Sequence, residues 1–186
     1  MKYSLPNSQN LSNTRIESDR LILVPISLDH GDVIFQEFTA EITTYMYPTP
    51  PKTPRDTEEF IESSQKKIEA GSDLVMAILN KKTQEFLGCV GLHKLDRDTK
   101  DPELGIWVKK IAHGNAYGRE AVTAVKKWAD ENTNYEYIHY PVSKLNIPSR
   151  KIVESLGGKV VRELTKENQR GTILDEVEYL IYRPER

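Results

Sequence analysis

The run His113-Gly114-Asn115-Ala116-Tyr117-Gly118 stands directly before a segment, Arg119 to about Glu131, in which Ala121, Ala124, Val125 and Trp128 recur at i, i+3, i+4 and i+7. That recurrence is a helical period with one apolar face. A helix start carries about four backbone N–H groups without intrahelical partners, together with the positive end of the helix dipole. Small residues ahead of it let the main chain approach an anion closely. Gly114, Ala116 and Gly118 therefore form a candidate cradle for a pyrophosphate. Spacing excludes two familiar phosphate loops. The chain has no Gly-x-x-x-x-Gly-Lys-Ser/Thr, and Gly-Asn-Ala-Tyr-Gly does not match Gly-x-Gly-x-x-Gly. A tight turn that only packs a helix against a sheet satisfies the same spacing equally well.

Strands must feed and flank such a turn, and the chain supplies them in alternation with helices. Arg20–Pro25 reads as a first strand closed by proline. A helix follows, with Ser27 or Asp29 near its cap and Val33, Ile34 and Phe38 facing inward. Tyr45 to Pro54 cannot hold a regular ladder, because Pro48, Pro50, Pro51 and Pro54 interrupt it. Thr57 or Asp56 then caps a helix whose Phe60, Ile61, Ile68 pattern ends at Gly71. Leu74–Leu79 and Glu85–Leu92 read as a hairpin around Asn80 to Thr83. Leu104–Val108 is the strand that leads into the turn at His113. Beyond the helix, Tyr137–Val142 is a strand, and Asn146–Leu156 a short helix with Pro148 in its first turn and Gly157 at its end. Lys159–Leu164 and Glu176–Tyr182 close the chain as antiparallel strands around Gly171. No repeat or compositional break divides residues 1–186, so one domain is expected, with residues 1–14 as a polar N-terminal arm.

Composition narrows the classes without choosing one. The 26 basic residues nearly balance the 28 acidic ones, which removes any global reason to bind nucleic acid or an anionic membrane. No apolar run approaches the ~18–20 residues of a membrane span. Met1 to Asn13 lacks the apolar core of a signal peptide. The single cysteine, Cys89, lies in the apolar run Phe86 to Val90 and reads as a small buried hydrophobe, not a nucleophile. His30, His93 and His139 lack the spacing of metal ligands, so no metal is expected. A reducing, cytoplasmic setting is the expectation.

Taken in order, Glu103-Leu104-Gly105-Ile106-Trp107-Val108, the turn His113 to Gly118 with Glu120-Ala121, and Asn146-x-x-Ser149 ending at Leu156-Gly157 resemble the GNAT acetyltransferases. Within that family the chain is most similar to the branch of the ribosomal-protein N-terminal acetyltransferases (RimJ/RimL-like). The opening Glu17 to Pro25 and the closing Gly171 to Arg183, with Asp175 and Tyr179, fit the same branch. The resemblance implies an α/β (α+β) fold with a mixed, mostly antiparallel sheet splayed at its centre and flanked by helices. It implies acetyl-CoA as cosubstrate, with the pantetheine arm along Trp107 and Val108 and the pyrophosphate on His113, Gly114, Asn115, Ala116, Tyr117, Gly118 and Arg119. Two departures stand out. Ala116 occupies a position commonly held by glycine, which is harmless if its φ is negative. His113 replaces a long polar side chain, and this weakens phosphate or loop-closing contacts.

The same resemblance implies roles. A primary ammonium titrates near about pH 10, so a carboxylate must help remove its proton. Glu103 is the candidate base, with Glu163 and Glu167 as competitors. Ser149 faces the coenzyme sulfur and can donate a hydrogen bond to a departing thiolate. Its alternative is a first-turn helix residue. Asn146 fits both a helix cap and a contact to the pantetheine amides. Tyr45 and Asp175 join Glu103 as candidates for binding the amine acceptor. The function implied is direct N-acetylation of a primary amine, on a protein N-terminus or a small molecule, with a homodimer as one expected assembly. A non-catalytic acetyl-CoA-binding sensor or interaction module is the alternative.

Overall fold

The computed structural model describes residues 9–96 and 101–184; the first eight residues of the polar arm lie outside them. In chain order the elements are β1 (Ile16–Glu17), β2 (Leu21–Pro25), α1 (Gly31–Glu37), α2 (Pro54–Glu69), β3 (Leu74–Asn80), β4 (Phe86–His93), β5 (Glu103–Val108), α3 (Tyr117–Asn132), β6 (Tyr137–Ser143), α4 (Ile147–Ser155), β7 (Lys159–Glu167) and β8 (Ile173–Tyr182). Short 3-10 turns cover Leu28–His30, Ile42–Tyr45 and Lys110–Ala112. The strands form one sheet in the order β1-β2-β3-β4-β5-β6-β8-β7. Every neighbouring pair is antiparallel except β5 and β6.

That exception makes the site. β5 and β6 meet at Glu103↔His139, where the His139 N–H donates to the Pro102 carbonyl at 2.8 Å, and no further pair follows. Beyond that point the strands diverge, so the sheet is splayed at its centre. The face bearing Leu104, Ile106 and Val108 is covered by α3 and α4, whose Val122, Val125, Ala129 and Val153 are buried. The opposite face carries α1 and α2, where Phe38 stacks on Trp107 with ring centroids 4.9 Å apart.

The second helix starts earlier than its sequence suggests. Thr53 is the N-cap, with Asp56 reaching back to the Thr53 N–H at 2.8 Å as the other half of a capping box, and Pro54 occupies the first turn. Thr57 is instead a buried wall residue whose Oγ1 has no hydrogen-bond partner among the described residues. Phe60, expected inward, is about half exposed. Both final strands run longer than expected, to Glu167 and from Ile173, around a turn held by the Asn168 side chain.

Candidate active site

Backbone alternation decides what the splay offers. The Lys109 N–H donates to the Leu87 carbonyl at 2.8 Å, so 87–109 is a hydrogen-bonded pair of the β4–β5 ladder. Alternation then gives Cys89–Trp107 and Gly91–Gly105 their bonds to β4, while Leu104, Ile106 and Val108 turn their N–H and C=O groups toward β6. Past Glu103, β6 has moved away. The Ile106 and Val108 N–H groups therefore face an open gap as donors in need of acceptors.

Two cavities open on this gap. The smaller, about 480 Å³, is lined by Ile106, Trp107, Val108, His113, Gly114, Ala116, Tyr117, Gly118, Arg119, Asn146 and Ser149 among others. The larger, about 800 Å³, lies on the α1–α2 face, and Tyr45, Tyr47, Gly91, His93, Glu103, Gly105, Trp107 and Glu176 contribute to its walls. Met46, Ile106, Trp107, Asn146 and Ser149 belong to both, so the cavities meet at the splay.

The turn before α3, the candidate anion cradle, has its own supports. Glu120, in the first turn, is drawn away from the cleft: it accepts from the Ser18 hydroxyl at 2.7 Å and from the Arg20 N–H and Nε at 2.8 and 2.7 Å. Arg20 also donates to the Asn115 carbonyl and lies over the Tyr117 ring. The Asn115 amide donates to the Ala112 and His113 carbonyls, so this side chain braces the loop and does not line the cleft as expected. His113 keeps the loop closed: its Nε2 lies 2.6 Å from the Val108 carbonyl and donates to it. The loss of contact expected from a shorter side chain does not occur.

Ala116 has φ 59° and ψ 18°, a left-handed conformation, so the condition under which alanine is harmless here is not met. Left-handed backbone costs an alanine about 1–2 kcal/mol, against about 0.5–1 kcal/mol of extra chain entropy for glycine. Ala116→Gly is expected to stabilise the fold by about 0.5–1 kcal/mol, read as a higher denaturant midpoint with an unchanged m-value. A lower midpoint counts against this strain.

Ser149 lies where the cavities join. Asn146 caps α4, its Oδ1 accepting from the Ser149 N–H at 3.3 Å, and Pro148 sits in the first turn. The Ser149 hydroxyl is 2.8 Å from the Tyr140 hydroxyl, which burial pushes up to about 12. The Tyr140 ring belongs to the core, and its hydroxyl orients Ser149. Trp107, expected along the pantetheine arm, lies at the same junction. It is half-buried between Phe38 and Phe86 and walls both cavities.

On the acceptor side, Glu103 lies on the larger cavity and pairs with Lys94 at 2.6 Å. His93 is its cross-strand neighbour. The imidazole lies over Gly91, since a Cβ there would stand 2.5 Å from its Nε2. Its Nδ1 is 2.9 Å from Asp73 Oδ2. That contact and the Lys94 N–H hold the Asp73 carboxyl below its usual range against the opposing effect of burial. Tyr45 lines the cavity as expected. Asp175 does not: strand alternation turns it to the other face and brings Glu176 inward. Glu163 and Glu167 are exposed and line neither cavity, and Glu163 pairs with Lys144 at 2.6 Å. Cys89 is buried with its thiol pushed up, as befits a core residue. Among the described residues no helix is long and apolar enough to cross a membrane.

Residues 20–159 match the acetyltransferase (GNAT) domain family. An uncharacterized N-acetyltransferase, p20, of Bacillus licheniformis is 26% identical over 75% of this chain and 79% of its own length. Among solved structures, RimL, a ribosomal L7/L12 alpha-N-protein acetyltransferase in complex with coenzyme A, superposes with a TM-score of 0.82. It shares 13% identity, and the match covers 91% of this chain and 98% of that one. The microcin C7 self-immunity acetyltransferase MccE, in complex with acetyl-CoA and AMP, gives 0.81 at 17% identity, over 93% of this chain and 98% of that one. At such identities the structural matches establish the fold.

Proposed function

Because the chain belongs to the GNAT family of acyl-CoA-dependent N-acetyltransferases, we propose that it transfers acetyl from acetyl-CoA directly to a cationic primary amine held in the larger cavity. The acceptor class is a protein N-terminus or a small-molecule amine. One observation carries this reading: a cleft that ends on a helix N-terminus and a second cavity with acidic and aromatic walls meet at Trp107, Asn146 and Ser149. The cleft fits its cosubstrate. It offers unpaired N–H groups along β5 for an amide-bearing arm and small residues, Gly114, Ala116 and Gly118, around the start of α3 for a diphosphate.

Acetyl-CoA supplies the acetyl group already activated as a thioester. The chain's residues do the rest. Ile106 N–H, directed into the gap, is a donor for a carbonyl oxygen, in the manner of an oxyanion hole. Ser149, oriented by Tyr140 and the Asn146 cap, presents a hydroxyl to a departing thiolate. Glu103, paired with Lys94 at the cavity wall, serves as proton acceptor through water. Direct transfer suits this site, because Cys89 is buried with its thiol pushed up and cannot act as an intermediate nucleophile.

The test is an acceptor screen with thiol detection, covering alkyl amines, polyamines, aminoglycosides and N-terminal peptides of ribosomal proteins. Thiol release with at least one amine is the expected result. Stabilisation by acetyl-CoA in a melting experiment without thiol release for any amine supports the sensor module instead, and no stabilisation removes both readings.

Two substitutions probe the roles. Glu103→Gln is expected to lower kcat by about 10²-fold with acetyl-CoA affinity nearly unchanged. An unaltered pH–rate profile in that variant removes Glu103 as base. Ser149→Ala is expected to slow the chemical step by about tenfold, the worth of one hydrogen bond to a developing charge. A wild-type single-turnover rate returns Ser149 to a structural role in the first turn of α4.

A further inference from the structure

Four charged side chains among the described residues are buried: Asp73, Lys109, Glu176 and Glu178. Asp73 is held by His93 and the Lys94 N–H, and Lys109 by Glu85 at 2.6 Å. Glu178 accepts from Arg162 and pairs with His139 at 2.7 Å. Glu176 alone of the four, 7% exposed, has no hydrogen bond or ion pair with any described residue. Its oxygens are not among the shut-off side-chain atoms of the described residues, so the carboxylate opens on the cavity with no group of this chain to pair it.

Its position gives the reason. Glu176 lies on the wall of the larger cavity. It pairs in register with Ser143 of β6, and Ser143 stands four residues beyond His139, as Trp107 stands four beyond Glu103 on the parallel strand. Glu176 is thus level with the junction of the two cavities, across the gap from β5, whereas Glu103 lies at the closed end of the splay. The charges around it leave its own charge uncompensated. Lys166, the cation that acts on it, sits over the Tyr47 ring at 4.4 Å, and Glu103 and Glu178 add like charge. Burial, reinforced by these two carboxylates and opposed by Lys166, raises its carboxyl above the usual range.

We propose that Glu176 is the counter-charge for the acceptor's ammonium, which makes it the residue that selects a cationic amine. This rests on the acetyl-transfer reading for the identity of the site, but it concerns binding and is read without turnover. The acceptor enters as a cation, forms an ion pair with Glu176 in a low-dielectric wall, and places its nitrogen at the junction. Glu176 therefore governs acceptor KM, where Glu103 governs kcat.

The experiment measures binding of benzylammonium, butylammonium and 1,4-diaminobutane to the full chain by calorimetry, with aniline, neutral at the assay pH, as reference. In Glu176→Gln, affinity for the best-binding cation is expected to fall at least tenfold, with aniline binding and the acetyl-CoA melting shift unchanged. Glu163→Gln, outside both cavities, is expected to match wild type. Equal cation affinity in Glu176→Gln and wild type overturns the proposal, as does failure of all three cations to bind wild type at millimolar concentration. Cation binding through Glu176 without thiol release overturns acetyl transfer and leaves the binding assignment standing. Thiol release with unchanged acceptor KM in the variant does the reverse.

Stability supplies the remaining control. A carboxyl raised in the folded state binds its proton more tightly there than in the unfolded chain. Stability is therefore lost as pH rises from the unfolded value through the folded one, and the deficit persists at neutral pH. Glu176→Gln is expected to melt above wild type at pH 7, with the difference vanishing below about pH 4, where both states are protonated. A variant that melts below wild type at pH 7 assigns Glu176 a structural role and overturns the proposal.

Discussion

Gly118→Asp is expected to abolish acetyl-CoA binding while leaving the chain folded, with affinity lower by at least about 10²-fold, or roughly 2.7 kcal/mol. Gly118 lies in the first turn of α3 and lines the smaller cavity. A Cβ there would stand 3.1 Å from Ile152 Cδ1, 3.6 Å from Val108 Cγ2 and 3.7 Å from Ile106 Cδ1. Only Ile152 Cδ1, the end of a flexible side chain, is closer than ordinary van der Waals contact, so the backbone need not move. An aspartate in a first helical turn favours the helix itself, because its charge meets the positive dipole end. The carboxylate then occupies the N–H groups a diphosphate requires and repels it. Folding and binding thus move apart. The measurement is the melting shift with acetyl-CoA, which grows as RT ln(1 + [L]/Kd) and is expected to disappear in the variant. A shift equal to wild type shows that the anion does not sit at this helix start.

The fold and most of the cleft were legible in the residues because they rest on local signals. Helical period marked α3, prolines marked the segment before α2, and small residues marked the turn. Legibility failed where the answer depends on the parity of a strand or on tertiary partners. Asp175 and Glu176 are adjacent acids on β8. A shift of one residue moves a side chain to the opposite face, so sequence chemistry alone cannot separate them. The register Ser143↔Glu176 does. The family resemblance marked Glu103 but not its ion pair with Lys94, nine positions earlier in the chain. The positive φ of Ala116 had one hint, a position commonly held by glycine, but not the contacts that surround the turn: Arg20 on Asn115, Glu120 on Arg20 and His113 on Val108. Asn115 failed for a related reason. In a loop of small residues its amide is the group able to satisfy two nearby carbonyls, and that use removes it from the cleft.

The order of polar groups along β5 and β4 explains how one sheet serves two substrates. On the acceptor face, Gly91 and Gly105 stand side by side between the Glu103–His93 pair and the Trp107–Cys89 pair. His93 fills the space over Gly91, so the opening lies over Gly105. The alternate residues Ile106 and Val108 belong to the cleft. Along this strand Gly105 lines the larger cavity alone and Val108 the smaller alone, while Ile106 and Trp107 between them line both.

Gly105→Leu therefore is expected to silence the acceptor side alone. A Cβ at Gly105 meets no atom within 4 Å, and the residue lines the larger cavity but not the smaller. Leucine is easily accommodated in a strand at this point, and its side chain can extend only into the cavity, over the place left open between Trp107 and Glu103. An amine must pass this place to approach the junction. The expected loss in kcat/KM for amines is at least about 10²-fold, since misplacing a reacting atom by about 1 Å already costs that much. Acetyl-CoA affinity is expected to stay within about twofold, because Ile106 and Val108 keep their N–H directions. Gly105→Ala, a single methyl, is expected to fall between the two and to affect bulky amines more than small ones. Measuring kcat/KM across amines of increasing width, beside the acetyl-CoA melting shift, separates this from a general loss of structure. Undiminished turnover in Gly105→Leu places the acceptor elsewhere. A matched loss of acetyl-CoA affinity shows that the two cavities are not divided by strand parity.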